Sequence, residues 1–185
     1  MKSVMISIQP KWCELIASGK KTVEVRKTRP KLETPFKCYI YETKAPKLKY
    51  VWTKKDYEGY PWFEDMDENE KTFCKFPQGS GKVIGEFVCD YIVNCLDINM
   101  DSTCLTVPEW LKYTKGHKGN VWGWHISDLV IYDKPKELSE FYRRDNTYDN
   151  AFAWAFEDRN KQIPLSRPPQ SWCYVDHPTE KGGEG

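Results

Sequence analysis

Apolar and polar residues alternate through "SVMISIQ" at the start of the chain, a period of two that predicts a β-strand. Pro10 follows, and Trp12, Leu15 and Ile16 then recur on one face until Gly19, which predicts one short helix closed by a left-handed glycine. Lys20 and Lys21 are left in a tight turn. "TVEVRK" resumes as a strand with Val23 and Val25 on one side and Thr22, Glu24 and Arg26 on the other. Further strands are predicted in "FKCYIYET", "GKVIGEFVCDYIV", "VWGWHI", "DLVIYD" and "RPPQSWCYV", with Gly85 marking a bulge or bend. Thr106 followed three residues later by Glu109 is the signature of a capping box and opens a second helix in "TVPEWLKY". A third is expected from Pro135, with Leu138, Phe141 and Tyr142 on one face, and a fourth in "NAFAWAFED".

These elements amount to an α+β class with a small, strongly bent sheet or barrel, its helices short and interspersed. Residues 1–176 read as one domain with a charged, aromatic insertion at 44–80, and 177–185 as a flexible tail. Composition agrees: among 185 residues, 39% are apolar and eight are tryptophan, which excludes a disordered chain. No apolar run approaches the roughly 20 residues of a membrane span, and the N-terminus lacks the pattern of a signal peptide, so a cytoplasmic protein without a membrane partner is expected. The seven cysteines form an odd set without a CxxC pair, which suggests buried free thiols. The three histidines have no Cys or His partner at zinc-site spacing, so neither a metal nor another cofactor is expected.

The net charge of +1 hides a segregation: twelve Lys or Arg against three Glu between Lys20 and Lys55, then seven acids and no base in "DYEGYPWFEDMDENE". One reading is an anion-attracting face beside an acidic flap, the other two surface segments that pair with each other. The basic stretch contains the densest candidate chemistry. Arg26 offers a planar fork suited to a phosphate or a base edge, Glu24 accepts hydrogen bonds from an exocyclic amine, and Lys21 supplies a positive charge beside the turn at Gly19. The plain alternative is a Glu24–Arg26 surface salt bridge, worth about 0 to 1 kcal/mol, beside a solvated lysine.

"GKKTVEVR" fits the pattern G-x-K-x-x-E-x-R, with Gly19, Lys21, Glu24 and Arg26 at its fixed places, and in this it resembles the ASCH domains of the PUA-like superfamily. "SIQPKWCELIASGKKTVEVRK", "GKVIGEFVCDYIV", "VWGWHISDLVIYDKPKELSEF" and "RPPQSWCYV" extend the likeness to most of the chain and resemble the group found in prophages and mobile elements. The resemblance implies a small bent β-barrel and a groove beside the motif that binds RNA or a nucleotide. It also brings two alternatives. Some small relatives are amidohydrolases acting on N4-acylated cytidine with a threonine nucleophile, a lysine and a glutamate; others are described as ribonucleases.

The lysine of those amidohydrolases matches Lys21, but their threonine falls on Glu24, and Thr22 stands two residues, roughly 7 Å, away. Lys21, Glu24 and Thr22 are therefore the catalytic candidates. For binding, Gly19, Lys20, Lys21, Glu24 and Arg26 are joined by Trp12 and Trp124 as stacking surfaces, by His125 as a donor or acid, and by Ser171. Trp122 and Trp172 are further stacking candidates, and Glu86 and Glu109 are possible third acids, the latter preferred as a cap. A different class of function, a protein-interaction module, would use the acidic aromatic insertion.

Overall fold

The computed structural model describes residues 3–44, 79–115, 121–144 and 162–176. Strand β1 (Ser3–Ile8) is buried along its whole length, because apolar clusters cover both faces of its sheet. Val4, Ile6 and Ile8 enter one cluster with Cys38, Ile40, Phe87 and Trp124, while Met5 enters a second with Tyr39, Tyr41 and Phe141. The period of two therefore selects between two cores rather than between core and water.

Helix α1 (Pro10–Ala17) and strand β2 (Val23–Arg26) form the crossover that lets β3 (Phe36–Glu42) lie parallel to β1. Antiparallel neighbours β4 (Val83–Cys89), β7 (Ser127–Lys136) and β10 (Trp172–Val175) complete a five-stranded sheet in the order β10-β1-β3-β4-β7. A second sheet has the order β2-β6-β5, with β5 at Ile92–Asn94 and β6 at Trp122–His125. Strands β8 (Tyr142–Arg144) and β9 (Gln162–Pro164) pair separately. The class is α+β and mostly β. Closure into a barrel is not seen: among the described residues β7 and β10 are the two edges of the large sheet and do not pair with each other.

The bulge expected at Gly85 is present. The β4–β7 register slips between Val83 and Gly85, and a Cβ on Gly85 would stand 2.4 Å from the Val130 carbonyl oxygen. Helix α2 (Val107–Thr114) carries the expected capping box, with Glu109 Oε2 accepting from the Thr106 amide at 2.9 Å. The helix expected from Pro135 is corrected. Pro135 lies within the edge strand β7, where a missing N–H costs no ladder bond, and a 3-10 turn at Leu138–Glu140 brings Phe141 into the second core cluster.

Cys13, Cys38 and Cys89 are buried free thiols, and Cys95, Cys104 and Cys173 are half-buried. Burial, with Asp90 adding to it, pushes the Cys89 thiol up to about 12. Among the described residues no helix is long and apolar enough to cross a membrane. The helix expected in "NAFAWAFED", the acidic run, Cys74, nearly all of the 44–80 insertion and the tail lie outside the described residues.

Candidate functional site

Gly19, at φ 72°, turns the chain sharply after α1, and the Lys21 amide donates back to the Leu15 carbonyl at 2.9 Å. That turn drops the Lys21 side chain into the protein, where the residue is 3% exposed. Its ammonium donates to the Val23 carbonyl at 2.9 Å and to the Thr103 carbonyl at 2.7 Å, and stands 3.3 Å from Glu24 Oε2. Three acceptors around one nitrogen match the three N–H bonds of the charged form. Thr103 is presented by a 3-10 turn at Asp101–Thr103, which the Thr22 amide holds through a 3.0 Å bond to the Ser102 carbonyl.

On the next turn of the strand, Glu24 Oε1 lies 3.0 Å from Arg26 Nη2, which also donates to the Ser7 carbonyl at 2.7 Å. Glu24 is thus gripped by a cation on each oxygen. The three side chains form a buried ladder, Lys21–Glu24–Arg26, in which Arg26 Nε is buried without a hydrogen-bond partner. These contacts rule out the plain alternative of a solvated Lys21.

The ladder lies at a cavity of about 990 Å³. Trp12 from α1 and Tyr113 from α2 give it aromatic walls, and Pro168–Gln170, the segment entering β10, gives another. Thr43, Lys44 and Gly81 add the ends of β3 and β4. Five cationic side chains (Lys21, Arg26, Lys27, Lys44, Lys112) face two anionic ones (Glu24, Glu109), so the lining carries a positive excess of three. Tyr113 donates to the Val25 carbonyl at 3.1 Å, and the Lys27 ammonium sits 5.1 Å from its ring centroid. Burial raises the Tyr113 hydroxyl above its ordinary value. Lys11 bridges α1 to α2 by a 2.9 Å contact with Glu109 and also lies over the Trp12 ring. The Thr106 backbone bond, followed by the bond from Lys11, holds the Glu109 carboxyl down at about 2.

Trp12, Lys21, Glu24, Arg26 and Glu109 are therefore brought together at one cavity, Glu109 also serving as the cap of α2, and the other sequence candidates are placed outside its lining. The Thr22 backbone is engaged by Ser102 and Ile126, and Gly19 and Lys20 are exposed on the turn. Trp124 is fully buried against Phe36 and Trp172. His125 pairs with Asp90 at 2.7 Å and stacks on Tyr91 at 4.3 Å. Ser171 accepts the Ser7 amide through its backbone carbonyl. Glu86 is held by Lys37 and Tyr132: burial pushes its carboxyl up, but the hydrogen bonds from those two side chains prevail and keep it below its ordinary value. Among the described residues no group of three metal-ligating side chains occurs.

Sequence reasoning missed Tyr113 and Lys112. Their signal was available, because Glu109, Lys112 and Tyr113 recur at i, i+3 and i+4 and share one face of the capped helix.

The ASCH domain family model matches residues 6–142. The chain belongs to the ASCH family. Its fold agrees with the crystal structure of ASCH from Zymomonas mobilis, at 18% identity and TM-score 0.52, over 94% of this chain and 87% of that one. A tyrosine-to-phenylalanine mutant of the same protein aligns at 18% identity and TM-score 0.53, over 95% of this ASCH chain and 91% of the mutant. Its serine-to-alanine mutant gives 18% identity and TM-score 0.53 over 94% and 88%. Among curated proteins no match is found.

Proposed function

We propose that this ASCH domain binds RNA or a nucleotide in the cavity beside the Lys21–Glu24–Arg26 ladder. The observation that carries the reading is the buried ladder itself, opening on a cavity with a positive excess of three and aromatic walls. Buried ion pairs are weak sources of stability, so a ladder at a cavity wall has a better account as recognition chemistry than as a fold staple. A volume of about 990 Å³ suits a nucleotide-sized ligand. Glu24 keeps spare lone pairs for an exocyclic amine, the Trp12 ring provides a face for a base, and Lys27, Lys44 and Lys112 provide charges for phosphate. RNA association is also the general property of the family to which the chain belongs.

The geometry speaks against a threonine-and-lysine hydrolase. Thr22 is absent from the cavity lining, and Lys21 spends its three N–H bonds on protein acceptors, so these two residues do not stand there as a nucleophile and its activating base. The test titrates wild type and Glu24→Gln with mixed single-stranded RNA and with N4-acetylcytidine, following both fluorescence anisotropy and product formation. Salt-sensitive RNA binding without product is expected, with affinity reduced on the order of tenfold in Glu24→Gln through loss of a charged hydrogen bond. Absence of binding to both ligands at low salt refutes the reading, and turnover of N4-acetylcytidine replaces it with the hydrolase.

A further inference from the structure

Two segments leave the cavity side by side. Lys27 lines its wall and begins an exposed stretch, and Gln170 lines it and leads into β10. They are tied together beyond the cavity: Trp172 Nε1 donates to Thr28 Oγ1 at 2.9 Å, and the Lys31 amide donates to the Tyr174 hydroxyl oxygen at 2.8 Å. The stretch therefore runs along β10 and shows Lys27, Arg29 and Lys31 to solvent at every second residue. Beside them Tyr174 is 39% exposed and its ring meets Trp172 edge-on at 5.4 Å, while Arg29 lies 4.4 Å from the Trp122 ring centroid. Among the described residues no carboxylate forms an ion pair with these three cations.

Cations without a carboxylate partner among the described residues, beside one exposed aromatic ring and continuous with a cationic cavity, suit a flexible polyanion with stackable bases. We infer that the Lys27–Lys31 stretch and Trp172–Tyr174 form a second subsite that takes the nucleotides flanking the one in the cavity, so that the ligand is single-stranded RNA rather than a free nucleotide. The inference rests on the cavity reading and sharpens it. Tyr174 supplies a stacking face, Arg29 and Lys31 hold phosphates, and Lys27 joins the strip to the cavity. A mononucleotide fills the cavity alone and does not reach Tyr174.

The experiment measures binding of random-sequence RNA of one, two, four and eight nucleotides by wild type, Tyr174→Ala and the double variant Arg29→Ala/Lys31→Ala. In wild type the affinity is expected to rise with length by at least about tenfold between one and four nucleotides, as one stacked base supplies. Tyr174→Ala should remove about 5- to 160-fold of tetramer affinity, and the double variant should flatten the salt dependence of log affinity by roughly 1.4. Mononucleotide affinity should be unchanged in both. A tetramer no tighter than the mononucleotide, or a length gain that survives in both variants, overturns the subsite and leaves the cavity reading standing. No binding at any length overturns both. Should Tyr174→Ala unfold on thermal melting, the double variant decides, since both of its side chains are exposed.

Discussion

Taking an ammonium out of water costs several kcal/mol unless acceptors replace its hydration. Lys21 recovers that cost through two backbone carbonyls and a carboxylate, one carbonyl coming from Thr103, eighty-two residues away. Lys21→Met would strand the carbonyls of Val23 and Thr103 and leave Glu24 with Arg26 alone. Such a loss from a buried pair destabilises by about 3 to 5 kcal/mol, which urea unfolding of the variant should read as a lower midpoint with little change in slope. A loss below about 1 kcal/mol would mean that the lysine behaves as a surface charge. The motif spacing identified Lys21, Glu24 and Arg26 as a group, but nothing in the spacing said whether the group was wet or buried. That depends on Ser7 and Thr103, whose carbonyls are brought in by tertiary contacts without a sequence signal.

Local chemistry made several elements legible in advance. The capping box of α2, the left-handed Gly19 and the bulge at Gly85 each follow from one or two residues with a strict backbone requirement, and each is present. Pro135 misled because a proline suits a helix start and an edge strand equally, and only the position of β7 at the sheet edge decides between them. The capped helix also carries a pH dependence. Glu109 has its carboxyl lowered from 4.5 to about 2 in the folded protein, with the Thr106 backbone bond as first cause. Because the folded value is depressed, the stabilisation is fully present above about pH 4.5 and is lost as pH falls through about 2. Thr106→Ala should remove about 0.5 to 2 kcal/mol at neutral pH, and Glu109→Gln should flatten the acid limb of the stability curve between pH 4.5 and 2; denaturation series at stepped pH check both. Gly85→Ala tests the bulge, since its Cβ would meet the Val130 carbonyl oxygen at 2.4 Å. A fixed backbone atom cannot turn aside as a side chain can, so a loss of about 1 to 3 kcal/mol is expected in the same unfolding assay.

For the whole molecule, a formal net charge of +1 in 185 residues gives little overall attraction for a polyanion. Binding must then come from where the charges stand, and the cavity concentrates a positive excess that the total conceals. The segregation of charge between Lys20 and Lys55 pointed to this in the sequence, although Lys112 comes from a helix far along the chain and Lys20 ends outside the lining. Two double variants separate local from global charge. Lys44→Ala/Lys112→Ala and Lys20→Ala/Lys134→Ala each remove two positive charges and take the net charge from +1 to −1, but only the first pair lines the cavity. If phosphates are held in the cavity, the first pair should make the slope of log affinity against log salt shallower by roughly 1.4 for single-stranded RNA. The second pair should leave the slope at its wild-type value. Equal effects from the two pairs would show that RNA responds to the averaged field of the protein, and would remove the cavity as the place where it binds.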